Sequence, residues 1–361
     1  MADCTKHFYD DRIKSHRVEL LFQSLLSQTR RVQPRSLMKI VFLLIFLAGN
    51  LCAHAQGALD PLPRTQLFGR DYVRLTDWAR LQKIHLQWIT KDRELRATNN
   101  TSKLYFKMDS RFAVCNGINF ILSCPVIFQK EKVYIAVVDL QATVHPILFP
   151  EKMTADARIK TICLDAGHGG KDPGKLDGRN EEKKFTLLLA EEVERILKQS
   201  GFKVVQTRKR DHWIELPERA KIANEVEADL MVSLHYNAAG NKNAQGTEVY
   251  CLTPVGTSSS NAEAGNSSAP TYPGSAENGK SVSLAYHVQK SLVKNLNVED
   301  RGVKRAQFVV LANSKMPSIL IEAGFMTNPF EARRIYDREY RKKMAVAIVE
   351  GILNYKSVVE Q

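Results

Sequence analysis

The sequence predicts an α/β fold, a mostly parallel sheet flanked by helices, preceded by a small β-rich domain. Three observations carry this. From Thr161 onward, short apolar runs alternate with helical stretches, the rhythm of a layered α/β sheet. Between Gly57 and Glu151, short β-branched or aromatic segments are separated by polar turns such as Asn99-Asn100 and Cys115-Asn116-Gly117, which reads as a compact β module. The chain has 361 residues, 44% of them hydrophobic, enough for two ordinary cores, and that excludes wholesale disorder and collagen-like repetition.

The first 55 residues bear on the compartment. Ile40 to Leu47 (IVFLLIFL) follows Met38-Lys39 and ends in Ala53-His54-Ala55, the layout of a secretory signal peptide cleaved after Ala55. The run falls short of the roughly 20 apolar residues of a membrane span. A buried core helix is the competing reading, and the Gln-Gly-Ala-Leu-Asp-Pro linker that follows speaks against it. Met1 to Leu37, with Arg30-Arg31 and Arg35, is either an extended basic leader or a start placed ahead of Met38. Export to the periplasm or cell envelope is therefore expected, with no membrane span after cleavage.

The formal charge is +13 from 52 basic and 39 acidic residues. Nucleic acid, anionic lipid and an acidic wall polymer all suit such a charge, and export disfavours nucleic acid. Six cysteines without a CxxC pair argue against a zinc finger or a dense disulfide scaffold. A Cys115–Cys124 bridge and two unpaired buried thiols both remain open.

The β-rich segment, 57–151, offers strands at Asp71–Leu75, His85–Trp88, Glu94–Thr98, Lys103–Lys107, Ala113–Val114 and Lys132–Val138. The order YVRLTDWARL, short strands, then AVCNGINFILSCPVIFQKEKVYIAVVDLQATVHPIL resembles the copper-amine-oxidase N-terminal-like domain. That resemblance implies a binding or spacer role, without copper, because His85 and His145 are isolated.

In the second segment, 160–356, candidate strands are Thr161–Leu164, Lys203–Thr207, Leu230–Leu234, Thr247–Leu252, Phe308–Leu311 and Ser318–Ile321. Phe185, Leu188, Leu189, Val193, Ile196 and Leu197 form one helical stripe, and Leu284, Val288, Leu292 and Leu296 another. Pro254 to Lys280, rich in Ser, Asn, Ala, Gly and Pro, has neither period and reads as a flexible insertion at 254–280, either a passive loop or a lid that offers Glu263 or Glu277 to the site.

The chemistry collects at strand ends. His168 follows the first strand, His235 ends another, and Glu322 ends the last, while Glu182 precedes the helix that starts near Lys184. Carboxyl ends of parallel strands share one edge, where ligands bind. Two imidazoles and one carboxylate are a three-ligand zinc set with the fourth position open to water. A further carboxylate that is not a ligand can move the water's proton to the leaving nitrogen. His168, Glu182 and His235 fit the first role and Glu322 the second. The glycines at 167, 169, 170 and 174 are a weak match to a phosphate-cradling loop, since no helix follows directly.

The stretches LDAGHGGKDPG, NEEKKFTLLLA, ADLMVSLHYNA, RGVKRAQFVVL and PSILIEAGFMTN, in this order over about 160–355, resemble the zinc-dependent N-acetylmuramoyl-L-alanine amidases of the amidase-3 family. The resemblance implies zinc (Zn2+) as cofactor, peptidoglycan as substrate, and hydrolysis of the amide between the lactyl group of N-acetylmuramic acid and L-alanine of the stem peptide. By motif position His168, Glu182 and His235 look like the metal ligands and Glu322 the catalytic glutamate; Glu182 rather than Glu181 aligns with the family's Glu-Lys pair. Asn237 and Arg301 are candidate substrate-binding residues, and Arg219 reads as structural. Some relatives carry an inserted helix over the zinc that a protein activator displaces; the 254–280 tract lacks the apolar face such a helix needs. A non-catalytic wall-binding protein on the same fold is the alternative, and the presence of all four site residues disfavours it.

Overall fold

The computed structural model describes residues 62–261 and 268–360; the expected leader and signal peptide, and Glu263, lie outside the described residues. The β-rich segment contributes β1 (Arg64–Leu67), β2 (Arg70–Arg74), helix α1 (Leu75–Leu81), β3 (His85–Thr90), β4 (Glu94–Thr98), β5 (Lys103–Lys107), β6 (Ser110–Cys115), β7 (Ile118–Gln129) and β8 (Lys132–Ala136). Short helical turns α2 (Val137–Asp139) and α3 (His145–Leu148) close it. Leu75 opens a helix rather than ending a strand, because Leu75, Trp78 and Ala79 bury one helical face. Strand β7 is a twelve-residue strand with alternating burial, where the sequence reading placed no strand. Cys115 and Cys124 are buried free thiols, so the disulfide alternative is set aside.

The second segment contains β9 (Thr161–Ala166), a small hairpin of β10 (Leu176–Asp177) and β11 (Asn180–Glu181), α4 (Glu182–Gln199), β12 (Lys203–Gln206), α5 (Leu216–Glu225), β13 (Leu230–Asn237), β14 (Thr247–Leu252), α6 (Asn278–Leu296), β15 (Asp300–Ala306), α7 (Val309–Asn313), β16 (Ser318–Phe325), α8 (Pro329–Tyr336) and α9 (Arg338–Val359). The sheet order is β12-β9-β13-β16-β14-β15. Strands β12, β9, β13 and β16 run parallel, and β14 is antiparallel to β16. Strands β9, β13 and β14 are buried almost throughout, as expected of strands covered on both faces. Helix α9 packs against α4 and α6, while α5 packs against α7.

The sequence placed a strand at Phe308–Leu311. The structure has its strand earlier, at Asp300–Ala306, and turns the apolar run into helix α7. Short apolar runs do not separate helix from strand by period; here Val310, Leu311 and Ala312 pack into a cluster with Tyr250, Leu252 and Leu320. The true strand escaped notice because it is polar, with Arg301, Lys304 and Arg305 all finding partners inside the fold.

The β-rich segment continues the sheet through β7, which pairs with β15 at Val303 and Phe120. Arg305, fully buried, donates to Leu252 O (3.0 Å) on the sheet and to Ala142 O beyond it. The described residues from Leu62 onward accordingly form one compact unit. The 254–280 tract is tied down where it is described. Ala269 N donates to Thr257 O (2.8 Å), Ser260 N to Arg305 O (2.8 Å), and Asn261 Nδ2 to Tyr250 OH (2.9 Å). Pro273–Glu277 forms a 3₁₀ turn that leads into α6. Glu277 pairs with Lys280 at 3.2 Å. No helix among the described residues is long and apolar enough to cross a membrane.

Candidate metal centre

The site is built at the carboxyl ends of β9, β13 and β16. His168 lies in the loop leaving β9 with φ +62°, an unusual left-handed position for a residue with a side chain. Arginines hold that loop by its carbonyls. Arg208 donates to Ala166 O and Gly167 O at 2.9 and 2.8 Å, and Arg219 to Ala166 O and His168 O at 2.8 and 2.7 Å. Arg219 also pairs with Asp165 at 2.8 Å, both being about 1% exposed. Burial alone would raise the Asp165 carboxyl, but Arg219 and the hydroxyls of Ser233 and Thr207 hold it below its ordinary range. Arg219 is thus structural, as the sequence suggested, and its structural task is to shape the His168 loop.

Glu182 is the first residue of α4, where the positive end of the helix dipole favours a carboxylate. One of its oxygens lies 3.1 Å from His168 Nε2 and 3.1 Å from His235 Nδ1, and accepts from Tyr236 N at 3.0 Å; the other accepts from Lys175 N at 2.9 Å. Burial opposes its charge, yet the two imidazoles outweigh burial and hold it well below the usual carboxylate range. The His168 and His235 rings meet edge to face at 4.8 Å. Gly167 permits this, because a Cβ there would overlap the His235 imidazole.

The ligand atoms of His168, Glu182 and His235 all lie within 4.8 Å of one another, the one such trio among the described residues. Two nitrogens and one carboxylate oxygen at this spacing fit a divalent metal. Asp172 completes the arrangement. Its Oδ2 lies 2.7 Å from His168 Nδ1, which fixes the ring and leaves Nε2 toward the trio. Sequence reasoning missed Asp172, although it follows His168 by four residues in the same loop.

Glu322 lies beside His235 in the β13–β16 register and opposite Glu248 in the β14–β16 register. Its Oε2 is buried without a hydrogen-bond partner. Burial first, then the charges of Glu182 and Glu248, push its carboxyl well above the usual range. These groups border a cleft of about 590 Å³ whose wall includes Trp213, Leu216, Phe308 and Val309. Asn237 lines the cleft, but its amide is engaged inside the protein, Nδ2 donating to Glu248 at 2.8 Å and Oδ1 accepting from Ala238 N at 2.8 Å. Arg301 is not among the lining residues; its Nε also donates to Glu248, at 2.9 Å. Glu248, buried on β14, is the second residue that sequence reasoning missed. None of the described residues of the 254–280 tract lines the cleft.

Residues 162–354 match a family described as N-acetylmuramoyl-L-alanine amidase. The chain is 38% identical to the uncharacterized protein YqiI of Bacillus subtilis, over 54% of this chain and 84% of that protein. It is 33% identical to the N-acetylmuramoyl-L-alanine amidase AmiA of Escherichia coli, over 54% of this chain and 76% of that protein. Among solved structures, an N-acetylmuramoyl-L-alanine amidase from Clostridium difficile 630 is 33% identical, with a TM-score of 0.46, over 55% of this chain and 97% of that one.

Proposed function

The chain belongs to the amidase-3 family of N-acetylmuramoyl-L-alanine amidases, a peptidoglycan hydrolase family, and from that premise we propose that His168, Glu182 and His235 hold a zinc ion and that Glu322 moves the proton. The observation that carries the reading is the convergence of three ligand atoms within 4.8 Å, with Glu322 on the neighbouring strand beside His235. Bound there, zinc would polarise the scissile carbonyl and acidify water.

The chain's own residues supply the rest. Asp172 orients His168 through Nδ1. The Arg208 and Arg219 guanidinium groups fix the backbone from Ala166 to His168. The apolar wall of Trp213, Leu216, Phe308 and Val309 limits the water around the reacting amide. Glu322, as the carboxylate, takes a proton from the attacking water and, then protonated, gives it to the leaving L-alanine nitrogen, a role worth about 10²–10⁴-fold in rate.

Export rests on the sequence of residues 38–55, and the β-rich segment is read as a spacer or binding module for the wall. The metal assignment is tested by metal analysis of purified protein. Wild type should hold one zinc per chain and His168→Ala or His235→Ala should lose it, while Glu322→Gln should keep the metal and lose at least about 100-fold in turnover. Stoichiometric zinc in both histidine variants would overturn the ligand set.

A further inference from the structure

Glu248 is 2% exposed and lies outside the cleft lining, so it does not touch substrate. Its carboxylate nevertheless gathers four donors from three elements of the sheet. Asn237 Nδ2 (2.8 Å) and Tyr250 OH (2.7 Å) reach one oxygen, and Arg301 Nε (2.9 Å) and the Lys304 ammonium reach the other. A buried carboxylate with charge-assisted bonds of this number is held rigidly.

The position matters more than the number. Strand β16 runs between β13 and β14, and the registers set His235, Glu322 and Glu248 side by side across the three strands. Directly opposed residues present their side chains on one face. The Asn237–Glu248 hydrogen bond therefore spans β16 on the face that carries Glu322. It also pins the end of β13 at the register shift between His235 and Asn237. Glu322 itself has a buried oxygen without any hydrogen bond among the described residues, so its orientation depends on the walls around it.

We propose that Glu248 is a positioning residue for Glu322: with Asn237 it forms a strut across β16 that closes one side of the Glu322 carboxyl and directs it toward His235. Like carboxylates directly opposed in a sheet are destabilising, and Arg301 and Lys304 compensate Glu248 so that the pair can persist. The inference rests on the proposed proton-transfer role of Glu322. It also gives the amide of Asn237 an internal task in place of substrate recognition.

The test is steady-state kinetics on a soluble muramyl-peptide wall fragment, with zinc content and melting temperature measured for each variant. Asn237→Ala, at the strand end, should lower kcat about tenfold or more, leave KM within twofold, and keep its zinc. Glu248→Gln should do the same, because its amide nitrogen then faces the Asn237 amide nitrogen. The exchanged pair Asn237→Asp with Glu248→Gln restores a donor–acceptor bond and should recover kcat at least threefold over Glu248→Gln. Wild-type kcat in Asn237→Ala, or no recovery in the exchanged pair, would overturn the strut. If Glu248→Gln does not fold, Asn237→Ala decides alone. Glu322→Gln run alongside separates the two levels: full activity there defeats the proton role, whereas an inactive Glu322→Gln beside a fully active Asn237→Ala defeats only the strut.

Discussion

Replacing Arg219 with Met should destabilise the fold and loosen the His168 loop together. The guanidinium donates to Asp165 Oδ1, Ala166 O, His168 O and Ile214 O, at 2.8, 2.8, 2.7 and 3.1 Å. Its loss leaves Asp165 as a buried carboxylate with the Thr207 and Ser233 hydroxyls as remaining partners, both at 2.7 Å. Breaking a buried pair costs about 3–5 kcal/mol, and the two surviving hydroxyl bonds place this case near 3 kcal/mol. Ala166 O keeps the Arg208 bond, so the further losses are the donors to His168 O and Ile214 O, about 1 kcal/mol each. A total near 5 kcal/mol is a large part of a typical stability of roughly 5–15 kcal/mol. At about 2 °C per kcal/mol for a large unit, the melting temperature should fall by about 10 °C, read by differential scanning calorimetry. Asp165→Asn combined with Arg219→Met should recover part of that loss, since no unpaired charge remains buried. A fall below about 2 °C, or a double variant as unstable as the sum of the singles, would refute the buried-charge reasoning.

Gly351 lies on α9 where it crosses α6, and a Cβ there would sit 2.5 Å from Val288 Cα and 3.0 Å from His287 O; because the obstacle is backbone, Gly351→Ala should cost about 1–3 kcal/mol by overpacking, against about 1 kcal/mol gained in helix propensity, and a melting curve will show a net fall. Burial, aided by Lys290, pushes His287 down to about 4. The unfolded chain then binds a proton at higher pH than the fold does, so the His287 contribution is complete above about 6.5 and is lost as pH falls toward 4, by about 3 kcal/mol at most. Urea unfolding between pH 7 and 4 should show this slope, and His287→Phe should flatten it.

The convergence of His168, His235 and Glu322 was legible because each is a polar residue at the end of an apolar strand and parallel strands bring such ends to one edge, and Glu182 was legible because it opens the helix that returns to that edge. The two helical stripes were legible for the same reason of period, and both emerge as α4 and α6. Glu248 was not legible. It sits within a run expected as a strand, and its partners come from three elements whose adjacency only the sheet order supplies. The polar strand β15 and the apolar helix α7 exchanged places in the sequence reading, since buried ion pairs let charged residues occupy a strand and a short apolar run fits either form. Composition made the 254–280 tract look loose. Its described parts are held by bonds to Tyr250 and Arg305, contacts that composition does not encode.

The central claim, hydrolysis of the N-acetylmuramoyl–L-alanine amide at the His168–Glu182–His235 centre, is tested most directly by the new chain ends released from purified wall sacculi. Wild-type protein should expose free L-alanine amino termini and lactyl carboxyl groups without new reducing sugar ends, and Glu322→Gln with its zinc retained should expose almost none. New reducing ends, cleavage elsewhere in the stem peptide, or undiminished release by Glu322→Gln would contradict the account.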